Sequence, residues 1–160
     1  MQRVSSIKSV GSWNTAEAVD RVVLDAEDRH RRRMVLTGEG GTSFLLDMPH
    51  PVALRDGDGL LLESGSIVRV VGLAESLVEI TAKTPHDVVR LAWHLGNRHT
   101  DVQIVDGKLR IRRDHVLEDM VIKLGASVTP IDAPFDPEGG AHSHGHAGGH
   151  HGHGHHHGDH

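Results

Sequence analysis

The sequence predicts a mixed α+β fold in two parts, followed by a disordered tail. Short β-branched runs separated by turn residues fill the first part of the chain. In the second part, the apolar residues change to helical spacing between further strands. From Gly139 onward the chain is almost only glycine and histidine, so it has little to bury, and we expect disorder.

Residues 1–75 are predicted to form a small all-β domain. The predicted strands are residues 19–24, 33–37, 43–47, 60–63 and 67–71. Turn residues at short intervals between β-branched runs are typical of a sandwich or a barrel. The basic run Arg29–Arg33, which includes His30, is interpreted as a solvated segment leading into the second of these strands.

Residues 76–133 are predicted to form a second domain that opens with a strand at 77–81. Thr84 is a good N-cap, and Pro85 follows at the first helical position, where its missing N–H is not needed. Apolar residues then recur at i, i+3, i+4 and i+7 from Val88, which gives the helix one apolar face. We expect Gly96 to end this helix in a left-handed conformation.

A hairpin and a second helix complete this domain. Asp106-Gly107 is a strong hairpin signal between predicted strands 101–105 and 108–112. Asp114 is expected to cap the second helix and Gly125 to close it, before a last strand at 126–129. The resulting order, β-α-β-β-α-β, is ferredoxin-like, with two helices on one face of an antiparallel sheet.

Composition excludes several classes of function. The formal net charge is −5, which argues against nucleic acid as the main partner. The chain has no cysteine, so thiolate metal sites and cysteine nucleophiles are excluded. We find no signal-peptide core, no membrane-spanning apolar run and no catalytic motif. We therefore expect a cytoplasmic protein that is not an enzyme and has no membrane partner.

The segment 134–160 is predicted to be a disordered, histidine-rich metal-binding tail that begins with a proline-broken linker. The tail carries His142, His144, His146, His150, His151, His153, His155, His156, His157 and His160. Neutral imidazole suits nickel, copper and zinc, and the intervening glycines let the chain fold around an ion. Composition alone does not choose among these metals. A purification tag is the trivial alternative, but the histidine runs here are short and interrupted.

Three stretches of the chain resemble the urease accessory protein E family. The clearest is His94-Leu95-Gly96-Asn97-Arg98-His99, flanked by Leu91-Ala92-Trp93. A second stretch, residues 114–120, is similar to the start of that family's last helix. A third match is spread over residues 31–34, 45–47 and 54–58 in the β-rich part. The resemblance covers nearly all of residues 1–131.

The resemblance implies a homodimeric nickel metallochaperone that works with the urease accessory GTPase and the apo-urease activation complex. Ni²⁺ is the implied metal, although Zn²⁺ and Cu²⁺ also bind such ligands. The family's central ligand corresponds to His99, which would face its copy across a two-fold axis, and a peripheral ligand corresponds to His115. A further peripheral histidine corresponds to Arg113, which cannot ligate a cation, so that part of the pattern is absent.

Two other functions stay open from the sequence. One is a histidine-rich metal buffer or storage protein without a specific client. The other is a peptide-binding chaperone in which the β-rich part does the work. The position of His99, in a short polar loop between a helix and a strand, predicts an exposed imidazole. Two such groups at a symmetric junction would make half of a coordination sphere, which water or tail histidines could complete.

Overall fold

A computed structural model describes residues 1–139 of the chain. The described residues form two α-helices and three β-sheets, which confirms the mixed α+β class. Each half of the chain has its own cluster of buried apolar side chains. Neither helix within these residues has the length and apolar character needed to cross a membrane.

Six strands make up the first half. They are β1 (Val4–Lys8), β2 (Ala18–Leu24), β3 (Arg33–Thr37), β4 (Ser43–Asp47), β5 (Gly59–Leu62) and β6 (Ile67–Gly72). One sheet has the order β1-β5-β6-β2, and β3 pairs with β4 in a separate hairpin. Strand β2 runs parallel to β6, while the other pairs are antiparallel. Phe44, Leu46 and Leu60 are fully buried in the core of this half.

Strand β1 is absent from the sequence prediction. Ser5 and Ser6 interrupt the apolar alternation that marks a strand, and both are exposed. The segment is extended because it adds to the edge of the sheet beside β5, with Ile7 opposite Leu60. Its structure is therefore set by a partner more than fifty residues away in the chain, as in the bond from Ser5 Oγ to Leu61 O.

The turn between β3 and β4 is held by Asp20 of β2. Gly40 N and Thr42 N donate to its carboxylate at 2.8 and 3.1 Å. A Cβ at Gly38 would collide with this carboxylate, so the turn needs glycine there. The bond from Gly40 N, followed by those from Thr42, favours the charged form and lowers the pKa of Asp20 to about 2.

The second half contains the predicted element order. It consists of β7 (Glu75–Thr81), α1 (Pro85–Asn97), β8 (Gln103–Val105), β9 (Lys108–Arg112), α2 (His115–Lys123) and β10 (Ser127–Ala133). The sheet order is β10-β7-β9-β8, and every pair in it is antiparallel. Leu91 and Leu95 of α1 and Val121 of α2 pack on Val78 and Ile111 of the sheet.

The helix starts and the hairpin form where the sequence predicts them. Thr84 Oγ1 accepts from Asp87 N at 3.1 Å, with Pro85 as the first residue of α1. The Asp114 carboxylate accepts from two amides in the first turn of α2. Asp106 and Gly107 both have positive φ, 50° and 71°, as the turn between β8 and β9 requires.

The prediction for Gly96 is wrong. Helix α1 continues through Gly96 to Asn97, and the residue in the left-handed conformation is His99, with φ of 57°. A glycine can sit inside the last turn of a helix at a modest cost in stability. The main chain reverses direction three residues later, at His99, and it is this residue that takes the left-handed conformation.

Two further predictions for the ends of the domains are also corrected. The basic run Arg29–Arg33 is predicted to be solvated, but the side chain of its first residue, Arg29, is only 3% exposed. Residues 134–139 fall within the segment that the sequence predicts to be disordered, yet Phe135 is fully buried and contacts both halves of the chain. The packed part of the protein therefore extends beyond the last strand, β10.

We predict that Asp20→Asn removes a pH-dependent part of the folding stability. The folded pKa of about 2 lies below the ordinary value of 3.8, so the charged carboxylate stabilises the fold above pH 3.8. That stabilisation is lost as the pH falls through about 2. Thermal unfolding between pH 2 and 5 should show the wild type's advantage over the variant shrinking toward acid.

Asp132→Asn is the matched control, because Asp132 is exposed and makes no side-chain hydrogen bond within residues 1–139. If the difference in unfolding temperature between wild type and Asp20→Asn stays constant across this pH range, the charged carboxylate's bonds to Gly40 and Thr42 do not stabilise the turn.

Candidate metal centre

His99 lies one residue beyond the C-cap of α1, Arg98. His99 N donates to Gly96 O at 3.0 Å, and Thr100 N donates to Leu95 O at 3.2 Å. Together these bonds form a Schellman motif, in which the residue after the C-cap must be left-handed. Because Leu95 is fully buried, the motif ties the main chain at His99 to the core of the second half.

Helix α2 ends in the same motif with a glycine at the equivalent position. Gly125 has φ of 96°, Gly125 N donates to Ile122 O at 2.9 Å, and Ala126 N donates to Val121 O at 3.0 Å. A side chain in this conformation places its Cβ close to a carbonyl oxygen and costs about 1 kcal/mol. His99 therefore occupies a position at which a glycine would make the fold more stable.

The His99 imidazole is exposed and makes no hydrogen bond within residues 1–139. It lines a cleft of about 720 Å³ between the two halves of the chain. Charged side chains that also line this cleft are Glu27, Arg29, Arg31, Arg55, Asp101, Arg112, Asp136 and Glu138. A neutral imidazole so placed has a nitrogen lone pair available for an ion that enters from solvent.

His115, the second predicted ligand of the folded part, is the exposed first residue of α2. The positive end of a helix dipole disfavours a cation there, although the neighbouring Asp114 and Glu118 carboxylates offset that effect. Arg113 is tied to Glu118, with Nη2 3.2 Å from Oε1, and it has no lone pair to offer a metal. Within residues 1–139, no other histidine replaces the peripheral ligand that is missing at position 113.

The β8–β9 hairpin brings His99, which precedes β8, and His115, which follows β9, to the same end of the sheet. Even so, residues 1–139 contain no group of three histidine or carboxylate side chains close enough to hold one metal ion. Within residues 1–139, His99 and His115 are exposed nitrogen donors, but the described residues do not by themselves form a complete metal site.

The remaining histidines of the described part have less specific surroundings. His94 is half-buried and packs edge-on against Trp93, with ring centroids 5.0 Å apart, as expected for a residue beside the apolar face. His86 and His50 are exposed. His30 lines the same cleft as His99, although the two histidines are sixty-nine positions apart and no sequence pattern links them.

The ten predicted ligands of the tail, His142 to His160, lie outside the described residues. Their role in metal binding stays a prediction from composition. The described part ends at Gly139, which lines the same cleft as His99. The tail histidines follow directly in the sequence, so their point of attachment is at this cleft.

Comparison with known proteins identifies two matching family models. One, the N-terminal domain of the UreE urease accessory protein, matches residues 2–72. The other, the C-terminal domain of the same protein, matches residues 75–160. The two models together span both halves of the chain and the histidine-rich segment.

Several named relatives are similar over most of the chain. A urease accessory protein UreE from Rhodopseudomonas palustris (strain BisB18) is 55% identical over 153 residues, covering 92% of this chain and 72% of the relative. One from Bradyrhizobium sp. (strain BTAi1) is 56% identical over 151 residues, covering 91% and 73%. One from Chelativorans sp. (strain BNC1) is 48% identical over 134 residues, covering 81% and 85%.

We predict that His99→Gly stabilises the fold by about 0.5–1 kcal/mol, because glycine adopts the left-handed conformation without steric cost. Urea unfolding of the full chain would measure the change. The matched control is Gly125→His, the reverse exchange at the end of α2, where nothing lies within 4 Å of an added Cβ. It should destabilise by a similar amount, and a His99→Gly protein that is less stable than wild type would contradict the strain.

Proposed function

This chain belongs to the family of UreE urease accessory proteins, and on that premise we propose that it delivers nickel to apo-urease during assembly of the urease metal centre. Family membership assigns a role in urease maturation as an accessory protein. The observation that carries nickel delivery to this chain is His99. Its imidazole is exposed and makes no hydrogen bond within residues 1–139, and main-chain bonds fix the backbone from which it projects.

In this proposal the protein works as a homodimer, joined through a ferredoxin-like domain at residues 76–133, with the β-rich domain at 1–75 on the outside. The outer face of α1 supports this, because Val89 and Trp93 lie one turn apart on it and are 65% and 64% exposed. Exposed aromatic and branched side chains of this kind are typical of protein contacts. Since α1 leads directly into His99, a two-fold axis near its end would bring two copies of His99 together.

Two imidazoles fill only part of the coordination sphere of a divalent transition metal. Water or tail histidines would supply the remaining ligands, and His115 would give a weaker peripheral position. An incompletely protein-bound ion can be captured and then released as its ligands are replaced one at a time. Transfer by such ligand exchange to the urease accessory GTPase, and from there to apo-urease, is the route that we propose.

The choice of nickel comes from the family and not from the donor atoms. Imidazole nitrogen binds copper(II) more tightly than nickel in the general order of affinities, and zinc competes as well. The proposed partner proteins, and not the ligands of this chain alone, would therefore ensure that nickel is the ion transferred.

A histidine-rich metal buffer without a client is the alternative, and the ten tail histidines favour it. The two functions differ in whether the bound ion reaches a defined acceptor. Buffering needs only many exchangeable ligands. Delivery also needs a specific position from which the ion is passed on, and this chain offers His99 for that position.

We predict that the nickel-loaded full chain activates apo-urease in the presence of the accessory GTPase, the other accessory proteins and an excess of a nickel chelator. Because the chelator holds free nickel low, activation then requires direct transfer. His99→Ala should lower the initial rate of activation about tenfold or more, as expected for loss of a metal ligand. His86→Ala, an exposed histidine in the first turn of α1, is the control and should behave as wild type. Urease activity no higher than with chelated nickel alone would favour the buffer.

We also predict that a chain ending at Glu138 keeps about one nickel site per dimer, since a two-fold axis gives one shared site. Calorimetric titration would measure the stoichiometry, with sedimentation to establish the dimer. His99→Ala in the shortened chain should abolish this site, while His86→Ala should keep it. If the shortened dimer binds no nickel, or if shortened His99→Ala binds as tightly as its parent, His99 is not the central ligand.

A further inference from the structure

The segment Pro134–Glu138, here called the clasp, crosses the junction between the two halves of the chain. The two halves are otherwise joined by a connection of only two residues, Leu73 and Ala74, between β6 and β7. The clasp returns from the end of β10 to the first half, where Pro134 lies against Gly72 with no room for a Cβ at that glycine. The junction is therefore crossed twice by the chain.

Arg29 holds the clasp on the side of the first half. Its Nη1 donates to the Asp136 carboxylate and, at 3.1 Å, to Leu54 O, while its Nη2 donates to Phe135 O at 2.7 Å. The Arg29 and Asp136 side chains are 3% and 13% exposed. A buried guanidinium is strongly unfavourable without a counter-charge, so the Asp136 carboxylate is what makes the burial of Arg29 under the clasp tolerable.

Arg112 and the edge of the second sheet hold the clasp on the other side. The Arg112 guanidinium carbon is 4.7 Å from the centroid of the Phe135 ring, in a cation–π contact. Asp136 N donates to Gln103 Oε1 at 3.2 Å, and Glu138 N donates to Val102 O at 2.7 Å. Phe135 is fully buried between these contacts and those of Arg29.

The same contacts reach the loop that carries His99. Arg112, which stacks on Phe135, also pairs with Asp101 at 3.5 Å and with Glu75 at 3.0 Å. Val102, which accepts the bond from Glu138, follows Asp101 directly. The three residues between His99 and Gln103 are thus braced from one side by Arg112 and from the other by the end of the clasp.

We propose that the clasp is a positioning element, with Phe135 as its anchor, which fixes the orientation of the two halves and the loop from His99 to Gln103. Fixing the loop holds His99 on the wall of the cleft. It also holds the attachment point of the histidine-rich tail at that same cleft, because Glu138 is bonded to Val102. Only the consequence for nickel rests on the proposed function, since the mechanical role of the clasp does not require His99 to be a ligand.

The test is amide hydrogen exchange, followed by mass spectrometry, on the full-length protein and its Phe135→Ala variant. Loss of the anchor should raise exchange about tenfold or more at Leu54, at residues 100–103 and at Glu138, because these amides lie at the clasp or next to it. Exchange within α2 should stay as in wild type. Glu138→Ala is the matched control, since it changes an exposed side chain of the clasp and keeps the amide that bonds Val102.

Unchanged exchange at these amides in Phe135→Ala would overturn the proposal. If Phe135→Ala does not fold, Arg112→Gln replaces it, because this half-exposed side chain can be changed while the buried ring stays in place. It should raise exchange at residues 100–103 while leaving Leu54 protected. No change at residues 100–103 in Arg112→Gln would show that Arg112 does not connect the clasp to the loop, which would overturn the proposal.

Nickel titration of the same variants separates this proposal from the proposed function. With both correct, Phe135→Ala weakens nickel binding at the His99 site and Phe135→Leu, which keeps an apolar group at the anchor, restores part of it. A different outcome is that wild type and His99→Ala bind nickel equally while hydrogen exchange still rises in Phe135→Ala. In that case His99 is not a ligand, but the positioning role of the clasp is supported. If hydrogen exchange does not change in Phe135→Ala, the positioning role of the clasp is wrong, whatever the nickel titration shows.

Discussion

A charged group that is removed from water needs its counter-charge at the same place, and in this protein that requirement joins the two halves of the chain. Each half has a core of its own, and the direct connection between them is two residues long. Arg29 belongs to the first half, while Asp136 follows the last strand of the second. Because the guanidinium is buried, the end of the packed chain has to return to the first half to neutralise it. The cleft and the His99 loop depend on that return.

The parts of the fold set by neighbouring residues are those that the sequence predicts well. The helix starts and the hairpin turn form through contacts with residues close by in the chain. They involve Thr84 and Pro85, Asp106 and Gly107, and Asp114. Strand β1 is extended because it pairs with the distant strand β5. Its two serines interrupt the apolar alternation, so the sequence pattern does not predict a strand there. The basic run at Arg29 and the prolines near Phe135 are typical of solvated segments. Within these segments Arg29 and Phe135 become buried because of each other, which single-sequence patterns do not reveal.

The same distinction applies to the candidate site. The position of His99 in a polar loop is readable from the sequence, but its left-handed conformation is not, because Gly96 is the more obvious residue to end α1. Which residue takes the bend is decided by Leu95, whose side chain must stay in the core and whose carbonyl then bonds Thr100. Family resemblance points to His99 and His115, and the fold brings them to one end of a hairpin. It provides no third donor within residues 1–139, so the site as proposed needs symmetry or the tail.

The long separation between Arg29 and Asp136, 107 residues, has a consequence for biosynthesis. A growing polypeptide leaves the ribosome from its N-terminus, so the first half can form its core well before the residue that neutralises Arg29 has been made. During that interval the guanidinium has to remain hydrated, and the surface around it stays open. The contacts of the clasp that join the two halves can therefore be completed only after residues 134–138 have emerged.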